Sequence, residues 1–83
     1  MPIQVLLYTK QGCGLCTETK MHLHQLASQY PHQLKEVDIT SDPYIHRQYH
    51  LVIPVVLIGQ QELQAPISIQ QLETALQQVT AVD

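Results

Sequence analysis

The chain has 83 residues, enough for one small domain over residues 1–83 and too few for a second core. Net charge is −3 with four Lys and Arg together, which leaves no basic patch to neutralise a row of phosphates and argues against a nucleic-acid partner. Apolar residues make up 45% with no Phe and no Trp, so the core must be aliphatic, with four Tyr as the only large aromatic rings.

Met1-Pro2-Ile3-Gln4 carries no positively charged leader ahead of an apolar stretch. No run approaches the roughly 18 to 20 apolar residues of a membrane span, so the expectation is a soluble, cytoplasmic monomer. Cys13 and Cys16 are too close in sequence to cross-link distant parts of the fold. In a reducing compartment they are expected mainly as thiols that pass through the disulfide when used.

Ile3 to Tyr8 reads as a first strand, short and apolar enough to be buried on both faces. Thr9 to Gly12 supplies a turn, with Gly12 at the bend. A helix follows, with Cys16, Thr19, Leu23, Leu26, Ala27 and Tyr30 on one face and Glu18, Lys20, His22, Gln25 and Gln29 on the other. Pro31 disfavours the helical region for the residue before it, so the helix should stop at Tyr30. Leu34 to Ile39 predicts a second strand before the polar Thr40-Ser41-Asp42-Pro43 cluster.

Asp42-Pro43 has the form of a helix start, an N-cap followed by a proline at the first helical position. That helix runs to about Tyr49, with Ile45 and Tyr49 turned inward. Val52 to Ile58 is the most β-prone run and predicts a central strand ended by Gly59, and Gln60 to Leu63 returns as a short hairpin partner. Ser68-Ile69-Gln70-Gln71 fits a capping box for a last helix striped by Ile69, Leu72, Leu76 and Val79. The order β-α-β-α-β-β-α predicts an α/β domain with a four-stranded mixed sheet and helices on both faces.

Chemistry concentrates in Cys13-Gly14-Leu15-Cys16. Cys-x-x-Cys serves thiol–disulfide exchange or half of a four-ligand zinc site. His46 and His50, spaced i, i+4, could complete such a site, yet the predicted fold puts their helix across the sheet from the cysteines, and the five histidines read better as polar surface. No metal site is therefore expected. At a strand-to-helix junction Cys13 falls near the N-cap, where free N–H groups and the helix dipole favour a thiolate and bring cysteine pKa values to about 3.5 to 7.5. Cys13 is then the attacking sulfur, and Cys16, one turn deeper, the resolving one.

Three segments carry a family resemblance: Leu6 through Cys16, Val37-Asp38-Ile39 with Asp42-Pro43, and Ile53-Pro54-Val55-Val56. Together they resemble the glutaredoxin-like branch of the thioredoxin superfamily. The resemblance implies the thioredoxin fold and a thiol–disulfide oxidoreductase acting on protein or glutathione disulfides, with no bound cofactor and with glutathione as a candidate co-substrate. It implies a cis bond before Pro54, with the proline facing the nucleophile and the Ile53 backbone left free for a bound peptide. Lys10 matches a lysine that contacts a glutathione carboxylate, and its charge favours the Cys13 thiolate.

The chain departs from that pattern between the cysteines, where Gly14-Leu15 replaces Pro-Tyr, and at Val52-Ile53-Pro54, where Thr-Val-Pro is usual. It departs again at Gln64-Ala65-Pro66-Ile67-Ser68, where a Gly-Gly-x-x-Asp segment would hold the γ-glutamyl end of glutathione. A thioredoxin-reductase-type reductant and a dedicated protein substrate are compatible partners as well. The substrate-contacting set implied is Lys10, Gly14, Leu15, Ile53 and Pro54. Two further readings stay open: a binding or scaffold protein that keeps the cysteines without turnover, and a [2Fe–2S] cluster bridged between two subunits.

Overall fold

The computed structural model describes residues 3–82; Met1, Pro2 and Asp83 of the expected 1–83 domain lie outside the described residues. The order is β1 (Ile3–Thr9), α1 (Gly14–Leu26), β2 (His32–Asp38), a 3-10 turn over Ile39–Ser41, α2 (Pro43–Tyr49), β3 (Val55–Ile58), β4 (Gln61–Gln64) and α3 (Ile69–Val82). The strands form one mixed sheet in the order β2-β1-β3-β4. β1 pairs parallel with β2, and β3 runs antiparallel to both β1 and β4.

Register decides which side chains meet. Leu7 pairs with Glu36 and Val56, and Val5 pairs with Leu34 and Ile58, so these residues share a face. That face carries the core, where Val5, Leu7, Val56 and Ile58 pack with Leu23 and Leu26 of α1 and with Leu72, Ala75 and Leu76 of α3. Leu7, Leu23, Ile58, Leu72 and Leu76 are fully buried, each contributing about 1.5 to 3 kcal/mol of transfer free energy. An aliphatic core therefore suffices.

The opposite face is covered more thinly. Tyr8 and Val55 are register partners there, and the Tyr8 ring packs on Tyr49 of α2 with centroids 4.8 Å apart. Ile45 and Tyr49 turn inward but stay half-buried, and Leu6 and Leu57 are half-buried too. β1 is thus fully buried on one face only, because a helix of seven residues cannot cover a four-stranded sheet.

The caps explain the element starts. Asp42 Oδ1 accepts from the N–H of Tyr44 at 2.9 Å and of Ile45 at 3.4 Å, with Pro43 in the first turn. Ser68 N–H donates to Gln71 Oε1 at 2.8 Å while Gln71 N–H donates to Ser68 Oγ at 3.1 Å, a reciprocal capping box. Gly59 turns the hairpin at φ +61°, and a Cβ there would sit 3.0 Å from Val79 Cγ2.

β1 runs one residue further than expected, to Thr9, β2 starts at His32 rather than Leu34, and β4 is shifted by one residue to Gln61–Gln64; three other boundaries differ for reasons the hydrogen bonds show. Regular α1 ends at Leu26, although Tyr30 N–H still donates to the Leu26 carbonyl at 2.7 Å, so the chain stays wound to the residue before Pro31. Ile39 leaves the second strand for the 3-10 turn, because Asp38 caps that turn by accepting from Thr40 N–H at 2.9 Å. β3 starts at Val55: Val52 N–H donates to the Tyr49 carbonyl, the Val52 carbonyl accepts from Ala65 N–H, and Pro54 has no N–H to give a ladder.

Candidate functional site

The site forms where β1 hands the chain to α1. Gly12 takes φ +84°, a left-handed bend that an L side chain adopts only with strain, and it turns the chain from strand to helix. Cys13 N–H then donates to the Lys10 carbonyl at 3.4 Å, closing the turn. Cys13 itself is the N-cap of α1, extended at φ −93° and ψ 105°, and its Sγ accepts the N–H of Cys16 at 3.1 Å. Thr17 donates to the Cys13 carbonyl through both N–H (3.2 Å) and Oγ1 (3.3 Å).

Cys13 and Cys16 form a disulfide with Cα atoms 5.3 Å apart, a separation that suits the bridge. Their exposures differ. Cys16 is 2% exposed among core residues, whereas Cys13 is half-buried at the cap. An approaching sulfur therefore meets Cys13 first.

Two crevices flank this turn. One, about 460 Å³, opens toward β2 and is lined by Thr9, Lys10, Gln11, Gly12, Cys16, Thr17, Lys20, Glu36 and Asp38. Lys20 and Glu36 pair across it at 2.9 Å, half-exposed and so worth roughly 0 to 1 kcal/mol. Asp38 Oδ1 also accepts from Thr40 Oγ1 at 2.6 Å, and the Thr40 hydroxyl, with its N–H second, holds the Asp38 carboxyl below the usual aspartate range. The other crevice, about 160 Å³, is lined by Leu15, Glu18, Thr19, Pro54, Ala65, Pro66 and Ile67.

The residues singled out from sequence are thus partly gathered. Cys13, Gly14, Leu15 and Cys16 lie together in the first turn, and Leu15 shares the smaller crevice with Pro54, which follows the half-buried Ile53. The Ile53–Pro54 and Ala65–Pro66 bonds are both cis. Lys10 lines the other crevice, with Cys16. His46 on α2 and His50 at its C-cap stack on each other with centroids 5.1 Å apart. Among the described residues no group of three or more His, Cys, Asp or Glu is arranged to hold a metal ion.

Sequence reading did not single out Glu18 as a site residue, whereas the resemblance placed Pro66 and Ile67 in the segment aligned with a glutathione-holding one. For Glu18 the signal available was spacing: Leu15 and Glu18 are three apart, on the same side of a helix. Among the described residues no helix is long and apolar enough to cross a membrane.

No curated protein matches the sequence. Among solved structures the chain is similar to a structural-genomics target protein from X. campestris, at 25% identity and TM-score 0.74, covering 89% of this chain and 96% of that one. A Nitrosomonas europaea protein solved by NMR has 22% identity and TM-score 0.75 over 89% and 91% of the two chains. Thioredoxin 1 from Thermosipho africanus shares 13% identity at TM-score 0.71, covering 95% and 96%, a likeness of fold. The model of the glutaredoxin-like domain (DUF836) matches residues 4–77. A thioredoxin-type sheet with a disulfide-forming cysteine pair at the start of its first helix, matched along nearly the whole chain, makes this protein a member of the glutaredoxin-like domain family.

Proposed function

We propose that the protein is a thiol–disulfide oxidoreductase that cycles Cys13 and Cys16 between dithiol and disulfide while reducing a disulfide in another molecule. One observation carries this reading: the half-buried sulfur that accepts the Cys16 N–H at the N-terminus of α1 is bonded to a buried sulfur one turn deeper. The same N–H and the helix dipole stabilise a Cys13 thiolate once the bond is reduced, and Lys10, three residues earlier, adds a positive charge.

The Cys13 thiolate attacks one sulfur of the substrate disulfide, forming a mixed disulfide and expelling the other sulfur as a thiolate. Cys16, deprotonated, then attacks the Cys13 sulfur and releases the substrate's second thiolate. Two electrons leave the protein dithiol, and the substrate sulfurs take up two protons. Ile53 and Pro54 position the substrate, and Gly14 and Leu15 contact it. The protein works as a monomer in a reducing compartment such as the cytoplasm, with a thioredoxin-reductase-type system or glutathione restoring its thiols.

Alkylation of the reduced protein by iodoacetamide across pH tests this. Cys13 is expected to react with a midpoint well below about 8.5, while Cys16 reacts slowly. An ordinary midpoint near 8.5 would assign the fold to a binding role instead. Supplying glutathione and a thioredoxin-reductase system separately to the oxidised protein then identifies the reductant by the return of two thiols.

A further inference from the structure

The two crevices beside the disulfide differ in chemistry, and the difference bears on what the site accepts. The crevice holding Leu15 and Pro54 is walled by Ala65, Pro66 and Ile67, and its one ionisable side chain is the carboxylate of Glu18. At about 160 Å³ it matches the size of an apolar cavity that takes a benzene-sized group, which is one aliphatic side chain. Leu15, between the two cysteines, is 56% exposed on its rim although it is large and apolar.

Part of the backbone around this crevice is closed to an anion. Ala65 N–H donates to the Val52 carbonyl, Pro66 has no N–H, and Ser68 N–H is held by Gln71 in the capping box of α3. Ser68 Oγ accepts from Gln71 N–H, which leaves the hydroxyl proton as its one donor. The nearby cations, Lys10 and Lys20, line the other crevice, where Glu36 and Asp38 face them and Lys20 is already paired. A glutathione disulfide brings two carboxylates on each half. In the smaller crevice such a ligand meets the Glu18 carboxylate, with the N–H groups of Ala65 and Ser68 already engaged.

Resting on the redox reading of Cys13 and Cys16, we infer that this crevice is a substrate subsite for a disulfide-bonded polypeptide, taking an apolar side chain next to the partner's cysteine and a basic residue opposite Glu18. Charge complementarity selects that occupant, since Glu18 is the one ionisable side chain lining the crevice and the chain as a whole carries −3. The apolar walls supply affinity, and Glu18 supplies discrimination against acidic partners, small peptides such as glutathione included. In the exchange the Cys13 thiolate bonds to the partner sulfur beside the seated side chain, and the distal partner sulfur leaves as a thiolate. Cys16 then displaces the first sulfur, so the partner gains two electrons and two protons and the protein ends as its disulfide.

The test measures oxidation of the reduced full chain by disulfide-linked dimers of short blocked peptides whose cysteine is flanked by leucine and arginine, by serine and arginine, or by leucine and glutamate. Oxidised glutathione and hydroxyethyl disulfide are measured alongside, each rate being divided by the same disulfide's rate with dithiothreitol to remove intrinsic reactivity. The leucine–arginine peptide is expected to react about tenfold faster than the serine–arginine one. It should react about fivefold faster than the leucine–glutamate one and at least about tenfold faster than oxidised glutathione. Glu18→Lys, an exposed change on α1, should reverse the arginine-over-glutamate order.

Equal rates for the three peptides, oxidised glutathione as the fastest oxidant, or an arginine-to-glutamate ratio unmoved by Glu18→Lys would each overturn the subsite. Hydroxyethyl disulfide keeps the two readings apart. If the wild-type dithiol fails to reduce it, the oxidoreductase reading falls and the subsite with it; if it is reduced while the peptides are not distinguished, only the subsite falls.

Discussion

The backbone N–H of Cys16 donates to Sγ of Cys13 at 3.1 Å, so the outer cysteine is at once the N-cap of α1 and half of the disulfide. Stability and redox chemistry therefore share one atom. Under reducing conditions Cys13→Ser keeps a capping oxygen, whereas Cys13→Ala keeps none. Urea unfolding should find the alanine variant less stable than the serine variant by about 1 kcal/mol. Equal stabilities would remove the cap from the account.

The two glycines of the loop should respond in opposite directions. Gly12 has φ +84° with nothing within 4 Å of a built Cβ, so Gly12→Ala meets backbone strain alone and should cost about 1 to 2 kcal/mol. Gly14 opens α1, also with open space at Cβ, and Cys13 before it already has the extended backbone that a following proline requires. Gly14→Pro should stabilise by about 0.4 to 1 kcal/mol. Thermal melts of both variants check the pair of signs.

Asp38 links the site crevice to acid stability. Its carboxyl is held below the usual range first by the Thr40 hydroxyl and then by the Thr40 N–H. A depressed folded-state value means the contribution is full above the unfolded-state pKa and is lost as pH falls through the folded one. Thr40→Val removes the hydroxyl and keeps the N–H, so an NMR titration should find the Asp38 midpoint higher in the variant yet still below the ordinary value. The stability gap between wild type and variant should close as the solution is acidified.

On the thinly covered face, desolvation raises the Tyr49 phenol pKa, helped by the charge of Glu62, by Tyr8 and by the bond from Tyr49 Oη to Glu62 at 3.3 Å. The raised value means that its contribution to stability is complete below the unfolded-state pKa and disappears in the alkaline range. Glu62→Gln should lower the midpoint without restoring the ordinary one, because desolvation is the larger cause. Ultraviolet titration of the variant, with Tyr49→Phe to identify the signal, measures this.

What was legible in the sequence was local. Asp42-Pro43 and Ser68 with Gln71 mark helix starts because a cap is formed between residues two or three apart. Cys13 and Cys16 announce the redox pair by the same logic of one helical turn. Ile39 misled because an apolar β-branched residue after Val37 continues an alternating pattern, while the Asp38 side chain, by bonding Thr40, ends the ladder there. The β1 run looked buried on both faces because composition says nothing of how short the covering helix is. Glu18 was illegible as a site residue, and Pro66 and Ile67 were legible through the resemblance alone, since only the packing of the β4–α3 connection beside α1 gathers the three around Leu15 and Pro54.

Trapping with single-cysteine variants tests the central claim most directly. Incubated with a disulfide substrate and read by mass spectrometry without reductant, Cys16→Ser should accumulate a stable mixed disulfide at Cys13, because the resolving sulfur is gone. Cys13→Ser should accumulate none, since its remaining thiol is the buried Cys16. A mixed disulfide formed equally by both variants, or formed through Cys16 alone, would contradict the assignment of Cys13 as the attacking sulfur and the dithiol cycle built on it.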